Sequence, residues 1–507
     1  MLARVSLTTA PAPAQAPVEP TRPGPAGGWR GWLGPIAVSI LAAFLRLPNL
    51  GRPHALVFDE TYYAKDALAL LLFGHEMEAK KKANELLLAM DGNLEQAQEI
   101  FKDSPSYVVH PPLGKWMIAA GEAVFGANPF GWRIAVAVLG VLSVLLLARI
   151  VRRMTGSNLL GTIAGGLLAI DGMAITLSRT ALLDGILAFL VLVAFGALVL
   201  DRERTRRLYP GRSLRPWRWT AAVALGLACG VKWSGLWFVL AFGLLTVLWD
   251  WGWRRELGQH QAFVRTLLRD ALPTALIWAP IVVLTYLATW YGWFTSSGGY
   301  LRTWAIDNGG QTGVEGALRS LAHYHAEAYR FHTGLTTEHS YESNAWGWPV
   351  LARPTSFYYE SEGLDCGAQN CSAEVIALGN PVIWWAAVLA LFHQVWRWFA
   401  VRDWKAGAVL CGFLAGWAPW LLFQERTVFS FYSIVFLPFM IMGLTFSLGS
   451  MLGTSADTRE RRGNGAAAVI SFLLLAVAVS WWFYPIWTGQ VIPYSQWQMR
   501  MWLSTWV

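Results

Sequence analysis

Eleven apolar runs, separated by short polar connectors and two long loops, constrain this 507-residue chain more than any other feature. They lie near 31–48, 131–151, 158–176, 179–200, 218–233, 235–250, 271–290, 378–398, 405–423, 428–447 and 467–485. A membrane-spanning helix needs roughly 20 such residues, usually about 17–25. Backbone polar groups in hydrocarbon must be satisfied within the segment, which favours helices. The pattern therefore predicts an all-α polytopic membrane protein with about eleven transmembrane helices. Composition agrees: 55% of residues are hydrophobic and 14% charged, where soluble domains carry about 25% charged residues. The 30 tryptophans suit a chain with many membrane–water boundaries. A soluble chain of two or three domains is excluded.

The net charge of +8 does not point to nucleic acid, because the basic residues gather in connectors, as orientation signals do. Those at 149–156, 201–218, 253–259, 401–405 and 457–462 are rich in Arg or Lys and are expected on the cytoplasmic side, with the N-terminus. The two long loops fall on the opposite side. Segment 49–112 holds ten Asp/Glu against six Lys/Arg, and 291–377 nine against four. Residues 1–30, rich in Pro and Ala, read as a disordered cytoplasmic tail. Residues 31–485 then form the membrane domain, and 486–507 an extracytoplasmic C-terminal tail. Within the external loop 49–130, Glu76 to Ile100 predicts a surface helix. Residues 113–126 are apolar but short, and crossing there would invert every later connector. They are expected to form a re-entrant or interfacial helix.

The candidate chemistry collects at the external face. Asp59 and Glu60, in VFDETYYAKD, are adjacent carboxylates just beyond the first span, with Tyr63 nearby. A carboxylate at such a boundary can take a proton from a hydroxyl, as a general base does. In YVVHPPLGKW, His110 precedes two prolines, and Lys115 falls in the first turn of the next helix, where cation and helix dipole could meet an anion. Arg133 opens the second span, and Arg179 and Asp184 lie at the same level, as does Asp171. Lys232 sits in an otherwise apolar run, where a charge pairs or serves a ligand. Arg426, beside Gln424 in the outer hairpin, joins it as a candidate for lipid phosphate. The second loop holds His332, His339, Glu342, Asn344 and Trp346, and its aromatic side chains (Tyr329, Trp346, Trp348, Tyr358) are candidate sugar platforms. Its four histidines match no standard zinc spacing. No metal ligand set is assigned, and divalent-metal dependence is left open. Cys366 and Cys371, external and close together, fit a small disulfide.

FDETYYAKDA at 58–67, HPPLGKW at 110–116, RTALLDG at 179–185, VKWSGL at 231–236 and HTGLTTEHSYESNAWGWPVL at 332–351 resemble the bacterial protein O-mannosyltransferases. These are glycosyltransferases of the GT-C fold, and the resemblance covers nearly the whole chain after residue 30. It implies about eleven spans with two long extracytoplasmic loops in the bacterial cell membrane. The activity implied is transfer of mannose, with inversion, from polyprenyl-phosphate-mannose to Ser or Thr of secreted proteins. No cofactor is required, since the lipid-linked sugar is a substrate. Membrane lipids and Ser/Thr-rich secreted polypeptides are the implied partners, with the secretion translocon a further candidate. By motif, Asp59 resembles the catalytic carboxylate and Glu60 its neighbour. Arg133 resembles a required arginine, and His332 to Trp348 the loop over the site. Lys232, Arg426, Lys115 and Arg133 are expected at the donor phosphate. Tyr63, His110, Arg179, Asp184, His332, His339, Glu342, Asn344, Trp346 and Gln424 are expected around the substrates. A related transferase acting on a lipid or cell-wall glycan is the alternative enzyme. A lipid-linked-sugar transporter would need charges reaching both faces.

Overall fold

The computed structural model describes residues 28–207 and 215–507. Most of the tail expected over 1–30, and part of the 201–218 connector, lie outside them. The chain opens with α1 (Arg30–Arg46) and enters the first long loop. This loop holds α2 (Glu60–Phe73), β1 (Met77–Ala79), α3 (Ala83–Ala89), β2 (Phe101–Pro105) and α4 (Leu113–Phe125). Next come α5 (Pro129–Thr155), α6 (Asn158–Ile170), α7 (Gly172–Ser178), α8 (Leu183–Arg207), α9 (Pro216–Val231) and α10 (Gly235–Glu256). A short α11 (Ala262–Thr266) runs through a π-helical turn (Leu267–Ala271) into α12 (Leu272–Thr289). The second loop carries α13 (Tyr291–Thr295), α14 (Trp304–Asp307), α15 (Gly313–Gly334), β3 (Thr355–Glu360) and β4 (Cys371–Ala377). Four long helices follow: α16 (Pro381–Val401), α17 (Trp404–Trp417), α18 (Leu437–Leu452) and α19 (Arg459–Thr488). The chain ends with β5 (Ile492–Pro493) and α20 (Tyr494–Gln498).

Every apolar run becomes helix, and the chain is a multi-pass membrane protein. Six described helices are long and apolar enough to span, and a seventh if α6 and α7, bent by 63°, count as one. The others are shorter or less apolar: α1 has 17 residues, α9 and α18 have 16, and α16 has 21. Local signals set the boundaries. Asn128 accepts from Gly131 N–H ahead of Pro129, and Ser157 and Asn380 cap α6 and α16 in the same way. Each satisfies an otherwise free N–H. α8 lies at the centre, against α5 and α9, while α12 flanks α9 with most of its surface outward.

The α6–α7 bend turns on Asp171, which caps α7 and accepts from Asn380 N–H (3.0 Å) and Trp384 Nε1 (2.8 Å). Gly172 is required beside it, because a Cβ there would lie 2.0 Å from the Trp487 ring. Arg46, fully buried, donates to the carbonyls of Ala169 and Leu168 at the end of α6. Asp171 therefore ties helices together and does not face the external site.

Two further expectations change, for the 76–100 helix and the C-terminal tail. The surface helix over 76–100 is confined to α3, because Met77 pairs with Pro105 and Ala79 with Phe101 in a two-stranded sheet. Those backbone groups are satisfied across the loop and not within a helix. The apolar 113–126 segment is α4, packed against α2, α5 and α9. The last residues are not a free tail. β5 pairs with β4, which also pairs with β3, and Trp506 is buried, donating to Leu351 O at 2.7 Å. Cys366 and Cys371 form a disulfide at the start of β4.

Candidate active site

Asp59 stands at the N-terminus of α2, in a segment fixed from both sides. Phe58 before it has φ +50°, a left-handed conformation disfavoured for a bulky side chain. Its ring is held among Phe357 (5.0 Å), Phe429 and Phe431 (5.5 Å each) and His339 (5.9 Å). Glu60 after it has no exposure. It accepts from Val57 N–H (3.0 Å), Ala181 N–H (2.8 Å) and Arg133, through Nε (2.8 Å) and Nη2 (2.7 Å). Phe58 and Glu60 together aim the partly exposed Asp59 carboxylate into the cleft.

Four of the expected site residues are engaged by the protein itself. Glu60 has both carboxylate oxygens occupied by these bonds. Arg133 also donates to Leu50, Pro53 and Ala55 carbonyls, so its five N–H groups are used inside the protein and none is left for phosphate. Arg179 donates to the carbonyls of Arg46, Pro48 and Asn49 and braces the end of α1. Lys115 is buried against Glu76 at 2.5 Å, with Asp66 at 3.9 Å, so its charge is engaged within the protein.

The remaining charges converge. Lys232, at the end of α9, is 2.7 Å from Asp184 at the start of α8 and lies over the Tyr432 ring at 4.9 Å. Burial, with a contribution from Asp184, pushes the Asp59 carboxyl up to about 6, although Lys232 and Tyr63 act against the rise. Tyr63 Oη lies 3.4 Å from Asp59. Across the cleft, His332 Nε2 donates to Val109 O (3.0 Å), which leaves Nδ1 as an acceptor facing Arg426 Nη2 (3.4 Å). Arg426 Nε donates to His332 O at 3.0 Å, and the guanidinium keeps further N–H groups free. His110 sits between Tyr63 and His332, with ring centroids 6.2 and 5.3 Å away. Burial and the neighbouring Lys232 push its pKa well below the usual imidazole range, and its Nδ1 has no partner.

The second loop forms the rim. His339 packs on Phe429 at 5.0 Å, and its N–H faces Glu342 at 3.4 Å. Asn344 caps the turn bearing Trp346 and donates to Gln424 Oε1 at 2.6 Å, joining the loop to the outer hairpin. Trp346 is exposed, but Trp348 is buried and donates to Ser343, so it is no sugar platform. The loop histidines disperse: His323 stacks on Trp304, and His325 bonds Tyr286. Among the described residues, no group of three or more His, Cys, Asp or Glu could hold a metal ion. Several cleft residues carried no signal of their own in the sequence, notably Phe58, Tyr432 and Trp233. Trp233 stacks with His325, donates to Tyr286 Oη (3.1 Å) and faces His332 at 5.7 Å. Its place beside Lys232 is the one signal that could have found it.

Residues 36–287 match the dolichyl-phosphate-mannose-protein mannosyltransferase family. Residues 317–506 match the C-terminal four TMM region of protein-O-mannosyltransferase. The polyprenol-phosphate-mannose--protein mannosyltransferase of Mycobacterium tuberculosis is 38% identical over 95% of this chain and 93% of its own. This chain belongs to the protein mannosyltransferase family. A second such relative, from Mycolicibacterium smegmatis, is 37% identical over 95% of this chain and 94% of its own. The fold is that of the Saccharomyces cerevisiae protein O-mannosyltransferase Pmt1-Pmt2 complex bound to the sugar donor. There the TM-score is 0.73 at 16% identity, covering 94% of this chain and 93% of that one. The mannosyltransferase described here thus has the GT-C architecture.

Proposed function

We propose that this mannosyltransferase moves mannose from polyprenyl-phosphate-mannose to a Ser or Thr hydroxyl of secreted polypeptides, in one inverting displacement. The carrying observation is Asp59, partly exposed, pushed up to about 6, and gathered with Lys232, Arg426 and Asp184 around Tyr432. The acceptor hydroxyl lies against Asp59. Its oxygen forms the new bond to the anomeric carbon, its proton passes to the Asp59 carboxylate, and the bond from that carbon to the phosphate oxygen breaks. The electron pair leaves with polyprenyl phosphate, whose charge Lys232 and Arg426 offset. Such fixed charges strengthen as the leaving group develops, which is where stabilisation accelerates a reaction. Asp184 keeps Lys232 protonated and aimed. The phosphate leaves readily, so neither an acid catalyst nor a second carboxylate is needed. His110, held neutral, offers hydrogen bonds to hydroxyls without adding charge. In this reading the site faces outward from the bacterial cell membrane with the N-terminus inside, so extended Ser/Thr-rich chains reach it as they emerge from the translocon.

The test is transfer of label from polyprenyl-phosphate-[³H]mannose to a Ser/Thr/Pro-rich peptide by the purified chain, with Asp59→Asn in parallel. Labelled peptide with the wild type, lost with the variant while donor binding survives, supports the reading. Donor turnover that labels lipid or glycan and not peptide would refute it.

A further inference from the structure

A cavity lined by charged side chains lies at the end of the bundle remote from Asp59. α8 runs from Asp184 in the active site to Thr205 on the cavity wall, about 30 Å at 1.5 Å per residue. α9, α10 and α12 close the same space, whose volume is about 240 Å³. Liquid water takes about 30 Å³ per molecule, so the cavity has room for a headgroup.

Its wall is built from ion pairs that nearly cancel. Arg215 bridges Asp201 (2.6 Å) and Asp250 (2.9 Å), and Arg218 pairs with Asp250 (2.9 Å) and donates to Thr274 (2.8 Å). Arg254 pairs with Asp270 at 2.7 Å. Two donors remain. Arg269 lines the cavity and has no ion pair or side-chain hydrogen bond among the described residues. Trp253 Nε1, also on the wall, is buried without a partner. Buried N–H groups are nearly always satisfied, so this one marks a place for an acceptor that the protein does not supply. The π-helical turn Leu267–Ala271 brings Arg269 and Asp270 to the cavity, and such turns are frequent at functional sites. Beside the opening, Leu268, Leu272 and Leu276 point outward, each at least half exposed. An apolar face of that kind on a membrane helix meets acyl chains.

We propose that this cavity binds the headgroup of a monoanionic phospholipid in the leaflet remote from the active site. Its phosphodiester accepts from Arg269 and Trp253, and its chains lie along α12. The single uncompensated positive charge matches one negative charge. A zwitterionic lipid brings a cation toward Arg269, and a phosphate dianion overshoots the balance.

The experiment measures lipid retention by native mass spectrometry, and thermal midpoint, for the full chain in detergent. It is titrated with dioleoyl-phosphatidylglycerol, dioleoyl-phosphatidylcholine or inorganic phosphate. The expected result is saturable retention of phosphatidylglycerol with a raised midpoint, weakened about tenfold in Arg269→Gln, as befits loss of a charged hydrogen bond. Trp253→Phe, which keeps the ring and removes the N–H, should weaken it several-fold. Arg269 is exposed and makes no internal ion pair, so Arg269→Gln should fold and retain mannosyl transfer. Equal retention of phosphatidylcholine, equal stabilisation by inorganic phosphate, or phosphatidylglycerol binding unchanged in both variants would each overturn the proposal.

Discussion

Replacing Asp59 by Asn should abolish turnover while making the protein more stable at neutral pH. The carboxyl has been pushed from 3.8 to about 6, so its charged form is disfavoured in the cleft. At about 1.4 kcal/mol per pH unit, full transmission would amount to ~3 kcal/mol. Asp59 is partly exposed, and screening reduces this to about 1–2 kcal/mol. Because the folded value lies above the unfolded one, the penalty is fully present above about pH 6. It fades as pH falls toward 3.8, where both states are protonated. The variant carries no such charge, so its advantage should be present at pH 7 and should vanish near pH 4. Activity should follow the opposite course. Wild-type transfer should fall below about pH 6 as the base is protonated, and the variant should lose roughly 10²–10⁴ in turnover at neutral pH, the gap narrowing as pH falls. The assay pairs thermal unfolding in detergent between pH 4 and 8 with the radiolabelled transfer reaction. A variant less stable than wild type at pH 7, or an advantage that does not change with pH, would refute the argument that Asp59 is held charged against its surroundings.

Three other outcomes follow from the same geometry. Glu60→Ala should destabilise by about 3–5 kcal/mol, because it strands the buried Arg133 charge. Glu60→Gln should retain more of the fold, and chemical denaturation would separate the two. Lys232→Met should cut turnover with polyprenyl-phosphate-mannose far more than it changes the thermal midpoint if, as proposed, its charge offsets that of the leaving phosphate; equal losses in both would indicate a purely structural pair with Asp184. Glu374, pushed up to about 7 by burial, accepts from Ser356 and from Trp497 of the C-terminal segment. Docking of that segment should therefore loosen as pH rises through about 7, and Glu374→Gln should abolish the dependence when followed by limited proteolysis.

The positions of the helices were legible because length and apolarity are properties of each segment alone. The gathering of charge at one face was legible too, since Asp59, Asp184, Lys232 and Arg426 each sit at the end of an apolar run. What those charges touch was not. Arg133 and Arg179 spend their donors on carbonyls between residues 46 and 55, and a backbone oxygen leaves no trace in residue identity. Lys115 finds Glu76, thirty-nine positions away, through the packing of α2 on α4. The β1–β2 pairing that shortens the expected helix over 76–100 is likewise non-local. Phe58 is an ordinary residue by sequence, and only its left-handed backbone and aromatic surroundings show that it helps set the direction of Asp59.

The arginine clamps divide the cleft into unequal halves. Arg46, Arg133 and Arg179 come from three different stretches of chain and bolt the Asp59 wall to the bundle through buried bonds. The facing wall is fastened more lightly, by Arg426 on His332 and by the exposed Asn344–Gln424 contact. One half is an anvil and the other a latch. If Asp59 is the proton acceptor, as proposed, it belongs to the firmly bolted wall, and any adjustment to a bulky substrate falls to the His332–Gln424 side.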